Sequence, residues 1–143
     1  MKKITPGEKK EIWGRFSKFQ TVYLATYDGK TPRVRPVSLG CIGSRLWVFT
    51  SAGSKKAVEM AKDPGFEFCY TFKGGEHSGY IRASGKARIV KDGKTKAKMT
   101  AQCPFFKEYW NGPDDKCFAL IELITKEVEY LKPGDLYPIR KRL

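Results

Sequence analysis

The sequence holds a single histidine, His77, and this scarcity excludes more than any abundance in the chain supports. A zinc site built from several imidazoles is ruled against, as is an ordinary Ser-His or Cys-His hydrolase, which leaves His77 at most the role of a lone acid or base. The four cysteines, Cys41, Cys69, Cys103 and Cys117, form no Cys-x-x-Cys pair. They read as free thiols of a reducing compartment, and no metal site is expected. No apolar run approaches the roughly 20 residues of a membrane span, and Met1–Pro6 lacks the apolar middle of a signal peptide, so the expected location is the cytoplasm with no membrane partner. Neither a Gly-x-x-x-x-Gly-Lys-Ser/Thr loop nor a Gly-x-Gly-x-x-Gly turn is present, which removes the commonest nucleotide-binding loops. Internal repeats, low-complexity stretches and an interdomain linker are also missing.

The chain does hold 143 residues, 41% of them hydrophobic and 13% aromatic, enough for one domain spanning residues 1–143 around a single core. Its net charge of +13 suits nucleic acid, an anionic membrane surface or small phosphorylated ligands drawn by a positive field. Lys and Arg are spread from Lys2 to Arg142 with no aromatic-basic stripe on one strand, which argues against nucleic acid. The terminal Arg140-Lys141-Arg142 reads as a frayed, solvated tail.

Thr5-Pro6-Gly7-Glu8 is a capping box, and Ile12, Trp13, Phe16 and Phe19 follow at helical spacing. A strand over Gln20–Tyr27 turns at Asp28-Gly29 into the extended segment Arg33-Val34-Arg35-Pro36-Val37, where Pro36 removes a ladder donor and calls for an edge or a bend. Gly40–Ser44 is the expected connection to the strand Leu46–Phe49. A small-residue helix follows over Ser54–Lys62 and ends at Asp63-Pro64-Gly65. Then come a strand over Phe66–Phe72, a flexible link at Lys73–Glu76 and a long strand from Gly79 to Val90 with a bulge or bend at Gly85. A Lys-rich helical segment over Lys91–Ala101, an aromatic piece over Pro104–Trp110, and one long strand or a strand pair over Lys116–Lys132 complete the chain. About six strands with inserted helices suggest a small closed antiparallel barrel, a mainly β fold with flanking helices.

One stretch carries chemistry. Thr50-Ser51-Ala52-Gly53-Ser54-Lys55-Lys56 joins a strand to a helix: Gly53 permits the turn, Ser54 caps the helix, and free N–H groups, hydroxyls and two ammonium groups converge where an anion is stable. Arg33 and Arg35, two apart on a strand, share a face and would bring guanidinium forks to the same anion if that strand pairs with the next. Taken singly, each segment reads equally well as a solvated turn; their hairpin spacing is what joins them into a phosphate cradle.

The order Thr-x-Asp-Gly-x-x-x-Arg-x-Arg-Pro-Val, then Phe-Thr-Ser-x-x-Ser-Lys-Lys-Ala, then Asp-Pro, resembles the FMN-binding split-barrel proteins related to pyridoxamine 5'-phosphate oxidase, in their short bacterial branch. The likeness extends to Pro104–Trp110 and Pro113-Asp114-Asp115. It implies a split barrel and a homodimer with two flavin sites at the subunit interface. It places Arg33 or Arg35 with Lys55 and Lys56 around the FMN phosphate, Thr50, Ser51 and Ser54 beside it, and the Pro36-Val37 backbone at the isoalloxazine edge. Tyr80 falls where relatives put a flavin-contacting side chain. Phe105, Phe106, Tyr109 and Trp110 would either roof the ring from the partner chain or plug the barrel. The tail from Lys132 to Leu143 does not match the Trp and Arg motifs of the vitamin B6 oxidases, so the small-molecule substrate and any nicotinamide donor stay open. The expectation is thus an FMN oxidoreductase with no assigned catalytic residue. The alternatives are a flavin, deazaflavin or haem binder without turnover, or a basic nucleic-acid-binding barrel.

Overall fold

The computed structural model describes residues 1–143. Helix α1 (Pro6–Trp13) is closed by the capping box, with the Thr5 hydroxyl accepting from the Glu8 N–H and the Glu8 carboxylate accepting from the Thr5 N–H. Strands β1 (Phe19–Tyr27), β2 (Pro32–Ile42) and β3 (Arg45–Ser51) precede α2 (Lys55–Lys62). Strands β4 (Gly65–Gly74) and β5 (His77–Ile89), helices α3 (Gly93–Thr100) and α4 (Phe106–Tyr109), and strands β6 (Phe118–Leu131) and β7 (Ile139–Arg142) complete the order. The sheet runs β3-β2-β1-β4-β5-β6-β7, and a β3–β6 pairing closes its first six strands into an antiparallel barrel with β7 bonded outside. Closure removes the exposed edges that an open sheet of this length would present.

Three hydrophobic clusters result. Inside the barrel, alternate residues of the six strands, among them Val22, Leu24, Leu39, Phe68 and Ile121, pack with Ala57 and Met60 of α2. Outside, Trp47, Phe49 and Leu120 meet Met99, Cys103, Phe106 and Trp110 from the α3–α4 region. Below, Ile12 of α1 joins Ile81, Val128 and Tyr130. Full burial of each such side chain contributes roughly 1.5–3 kcal/mol.

The chain departs in four places from what its sequence suggests. The basic tail is not frayed: Ile139–Arg142 forms β7, and Arg142 also bridges to Lys3, because β6 extends past the barrel and offers a free edge. The β2–β3 connection is only Gly43-Ser44, both at positive φ (63° and 59°), the two-residue turn whose twist matches a hairpin. The expected flexible link at Lys73–Glu76 is instead a tight turn, with Gly74 paired to His77 and Gly75 at φ 64°. The strands number seven rather than about six, since β7 adds one; Phe118–Leu131 is the one long strand that was among the expected arrangements. The bulge at Gly85 is present: the β5–β6 register shifts there, and a Cβ on Gly85 would lie 2.0 Å from the Ile124 carbonyl oxygen.

One buried charge escaped the sequence reading. Glu122, on β6, accepts from Arg45 Nε at 2.6 Å and from Arg88 Nη2 at 2.8 Å. Burial pushes its carboxyl upward, but hydrogen bonds from the two guanidiniums outweigh this and hold it below the ordinary value.

Candidate functional site: an anion cradle beside a split hairpin

Strands β2 and β3 pair only from Leu39–Val48 to Ile42–Arg45, the four pairs nearest the turn. Beyond Leu39 they part, while β2 stays bonded to β1 through Pro32 and β3 stays bonded to β6 through Ser51. Pro36 therefore lies on a strand segment with one open edge, as its missing N–H requires. The opening leads to the N-terminus of α2.

Ser54 caps α2: its hydroxyl accepts from the Ala57 N–H and is bonded to the buried Thr50 hydroxyl at 3.1 Å. The Lys55 and Lys56 N–H groups have no acceptor within the protein, as the first turn of a helix dictates. In front of them lies a cleft of about 580 Å³ lined by Arg33, Arg35, Gly53, Lys55, Glu59 and Asp28, with Val58 at its side. Residues distant in sequence, Arg33 and Arg35 on β2 and Lys55 on α2, thus line one cavity.

The cations of this region are not equivalent: Arg33, Arg35 and Lys55 line the cleft, whereas Lys56, like Thr50, Ser51 and Ser54, does not. Arg33 Nε donates to Asp28 at 2.8 Å and is largely exposed. That bond, with the Lys30 and Thr31 N–H groups, holds the Asp28 carboxyl down at about 2. Arg35 is half-buried and oriented by three neighbours: Nη1 donates to Thr26 Oγ1 at 2.6 Å and to the Leu24 carbonyl at 3.3 Å, and Nη2 donates to Glu59 at 3.2 Å. Lys55 is exposed, whereas Lys56 is half-buried. No carboxylate lies within ion-pairing distance of Lys56. Its ammonium is pushed below the usual lysine range by burial and by the neighbouring Arg35. A half-buried, unpaired cation beside a second cation is a position that an anion would stabilise.

The remaining expected residues are placed as follows. Ser51 is exposed at the end of β3, Pro36 is exposed, and the Val37 side chain is buried in the barrel, leaving only its backbone to reach the opening. Tyr80 stands apart from the cradle, its hydroxyl donated to Glu129 at 2.7 Å on the β5–β6 outer face. Trp110 is 7% exposed and packs against Phe106 and Phe118. Tyr109, by contrast, is 69% exposed. Thr26 and Asp28, which position the arginines, stand in the Thr-x-Asp-Gly motif but were given no site role, and Glu59 was not singled out from sequence. Glu59 was within reach of that reading, because it lies one helical turn beyond Lys55 and so on the same face.

A closed antiparallel barrel with a split hairpin and a cationic helix N-terminus defines the class of protein. A family model described as pyridoxamine 5'-phosphate oxidase matches residues 9–132, and the chain belongs to that family. No curated protein matches the sequence. Among solved structures, a NimC/NimA family protein from Clostridium acetobutylicum superposes with a TM-score of 0.74 at 21% identity, covering 93% of this chain and 88% of that one. General stress protein 26 from Bacillus anthracis gives 0.74 at 22%, covering 94% and 98%. A haem-binding protein from Mycobacterium smegmatis gives 0.79 at 17%, covering 97% of this chain but 59% of the other. These likenesses establish a shared fold. No helix is long and apolar enough to cross a membrane.

Proposed function

We propose that this chain is an FMN-binding flavoprotein, an oxidoreductase working on a small molecule, with the cradle holding the FMN phosphate. The observation that carries the reading is Lys56: a half-buried ammonium without a carboxylate partner, beside Arg35 and the free N–H groups of α2. A dianionic phosphate matches that donor set, since each charge-assisted bond is stronger than a neutral one and helix N-termini favour negative charge. Arg35, Lys55 and Lys56 would hold it, with Arg33 at the outer rim and the Thr50, Ser51 and Ser54 hydroxyls beside them. The open edge at Pro36-Val37 would face the ring. When bound, FMN supplies the redox chemistry, accepting electrons from a donor such as a nicotinamide and passing them to a substrate. The protein's share is to bind, orient and screen it.

A homodimer accompanies this reading. Tyr23, Tyr27 and Val34 are 48%, 41% and 66% exposed on the outer face of paired strands β1 and β2, where a second copy would cover them. Tyr80 and Trp110 would then meet the flavin only across that interface.

Haem is the second reading, since one structural neighbour is a haem-binding protein. The donor set favours FMN, because it is built for a phosphate and His77 is not among its residues. Titrating apoprotein with FMN, riboflavin and haem separates the readings. FMN should bind at least tenfold more tightly than riboflavin, which lacks the phosphate. Equal affinity for the two would remove the cradle, and tight haem binding without FMN binding would overturn the flavin assignment.

A further inference from the structure

A second cavity, of about 610 Å³, opens beside the flank of α2 that carries Ala57 and Ala61. Only Val58 is shared with the anion cleft. Its floor is apolar: the small side chains of α2 stand back from Ile89, near the end of β5, and from Phe118, at the start of β6. Val58 remains 45% exposed there although it lies on a packed helix.

The rim is cationic. Lys62, Lys91, Lys96 and Lys116 surround the floor. None of them has a carboxylate within ion-pairing distance. Lys96 Nζ stands 5.8 Å from the centre of the Phe118 ring, bringing positive charge to the edge of the apolar surface. Two acids are nearby, Asp114 and Asp115, the latter held in place by the Asn111 and Cys117 N–H groups at 3.0 and 2.8 Å, so four ammonium groups outnumber two carboxylates around the cavity.

We infer that this cavity is a binding site for a small amphipathic anion, a molecule with an apolar body and one carboxylate head of the medium-chain acid type. A purely polar anion would leave the floor wet, and an amphipathic cation would be repelled by the rim. Charge complementarity and apolar area select the same ligand. This site stands independently of the cofactor reading, because apart from Val58 the two cavities are lined by different side chains.

The probe is decanoate, titrated calorimetrically into the purified protein, with octanoate, decanol and decyltrimethylammonium for comparison. Decanoate should bind more tightly than octanoate by roughly fourfold per added methylene, the effect of burying each in an apolar site. It should also bind at least tenfold more tightly than decanol, and decyltrimethylammonium should not compete. Lys91→Glu with Lys116→Glu, both at exposed positions, should abolish the preference for decanoate over decanol while leaving decanol affinity unchanged. Ala61→Phe, also at an exposed position, should fill the floor and weaken both probes. Affinity independent of chain length, decanol binding as well as decanoate, or no effect of Ala61→Phe in a folded variant would each overturn the inference. The chain-length and head-group comparisons use the unaltered protein and so stand even if a variant misfolds.

Discussion

Replacing Lys56 by Ala separates a ligand site from a structural one. In the free protein the ammonium gains little: it is half-buried, lacks a carboxylate partner and is repelled by Arg35, which is why its pKa is lowered. A lysine whose folded-state pKa is depressed costs the folded state while it is protonated, so stability tends to rise as the pH climbs through the depressed pKa. Lys56→Ala should therefore leave the melting temperature of the apoprotein unchanged or slightly raised at neutral pH. With the phosphate in place, the same ammonium makes a partly desolvated, charge-assisted bond worth about 1.5–3 kcal/mol, so its loss should weaken FMN about ten- to hundredfold. Lys55→Ala, at a more exposed position, should cost under about 1 kcal/mol. Calorimetric titration of FMN into the two apoproteins, with circular dichroism to confirm folding, reads the contrast. Affinity within twofold of the parent in folded Lys56→Ala, or a large stability loss without an affinity loss, would refute the reasoning.

Three further outcomes follow from the same geometry. Glu59→Gln removes the carboxylate that competes with phosphate for Arg35, so FMN affinity should rise several-fold while stability falls by about 1 kcal/mol, read by titration and by urea unfolding. Asp28 has its pKa lowered to about 2, so its contribution to stability is fully present above its ordinary value of 3.8 and is lost as the pH falls through 2. Asp28→Asn should accordingly flatten the acid limb of a stability–pH curve between about pH 4 and pH 2, leaving neutral pH as the reference. Gly85→Ala would set a Cβ against the Ile124 carbonyl, so the β5–β6 ladder must shift and the melting temperature should fall by several degrees.

Much of the fold was legible because its signals are local. The capping box, the Asp28-Gly29 turn, the Ser54 cap and the Gly85 bulge are each set by a few neighbouring residues, and each appears as read. The tail was misread because Arg140-Lys141-Arg142 looks solvated by composition, while its strand depends on an edge of β6 that only the tertiary structure creates. The convergence of Arg33, Arg35 and Lys55 on one cleft was legible from their spacing, yet the differences among those cations were not. How Arg33 and Arg35 are held follows from Asp28, Thr26 and Glu59, and those contacts exist only once β1, β2 and α2 are packed together. Glu122 was invisible for the same reason: its two arginines come from β3 and β5.

The central claim, that the cradle holds FMN, is tested most directly by the visible spectrum of the protein purified without added cofactor, together with identification of the molecule released on denaturation. A flavin spectrum and release of FMN at close to one per chain are expected. A protein that is colourless and takes up no added FMN, or that releases haem or a deazaflavin instead, would contradict it.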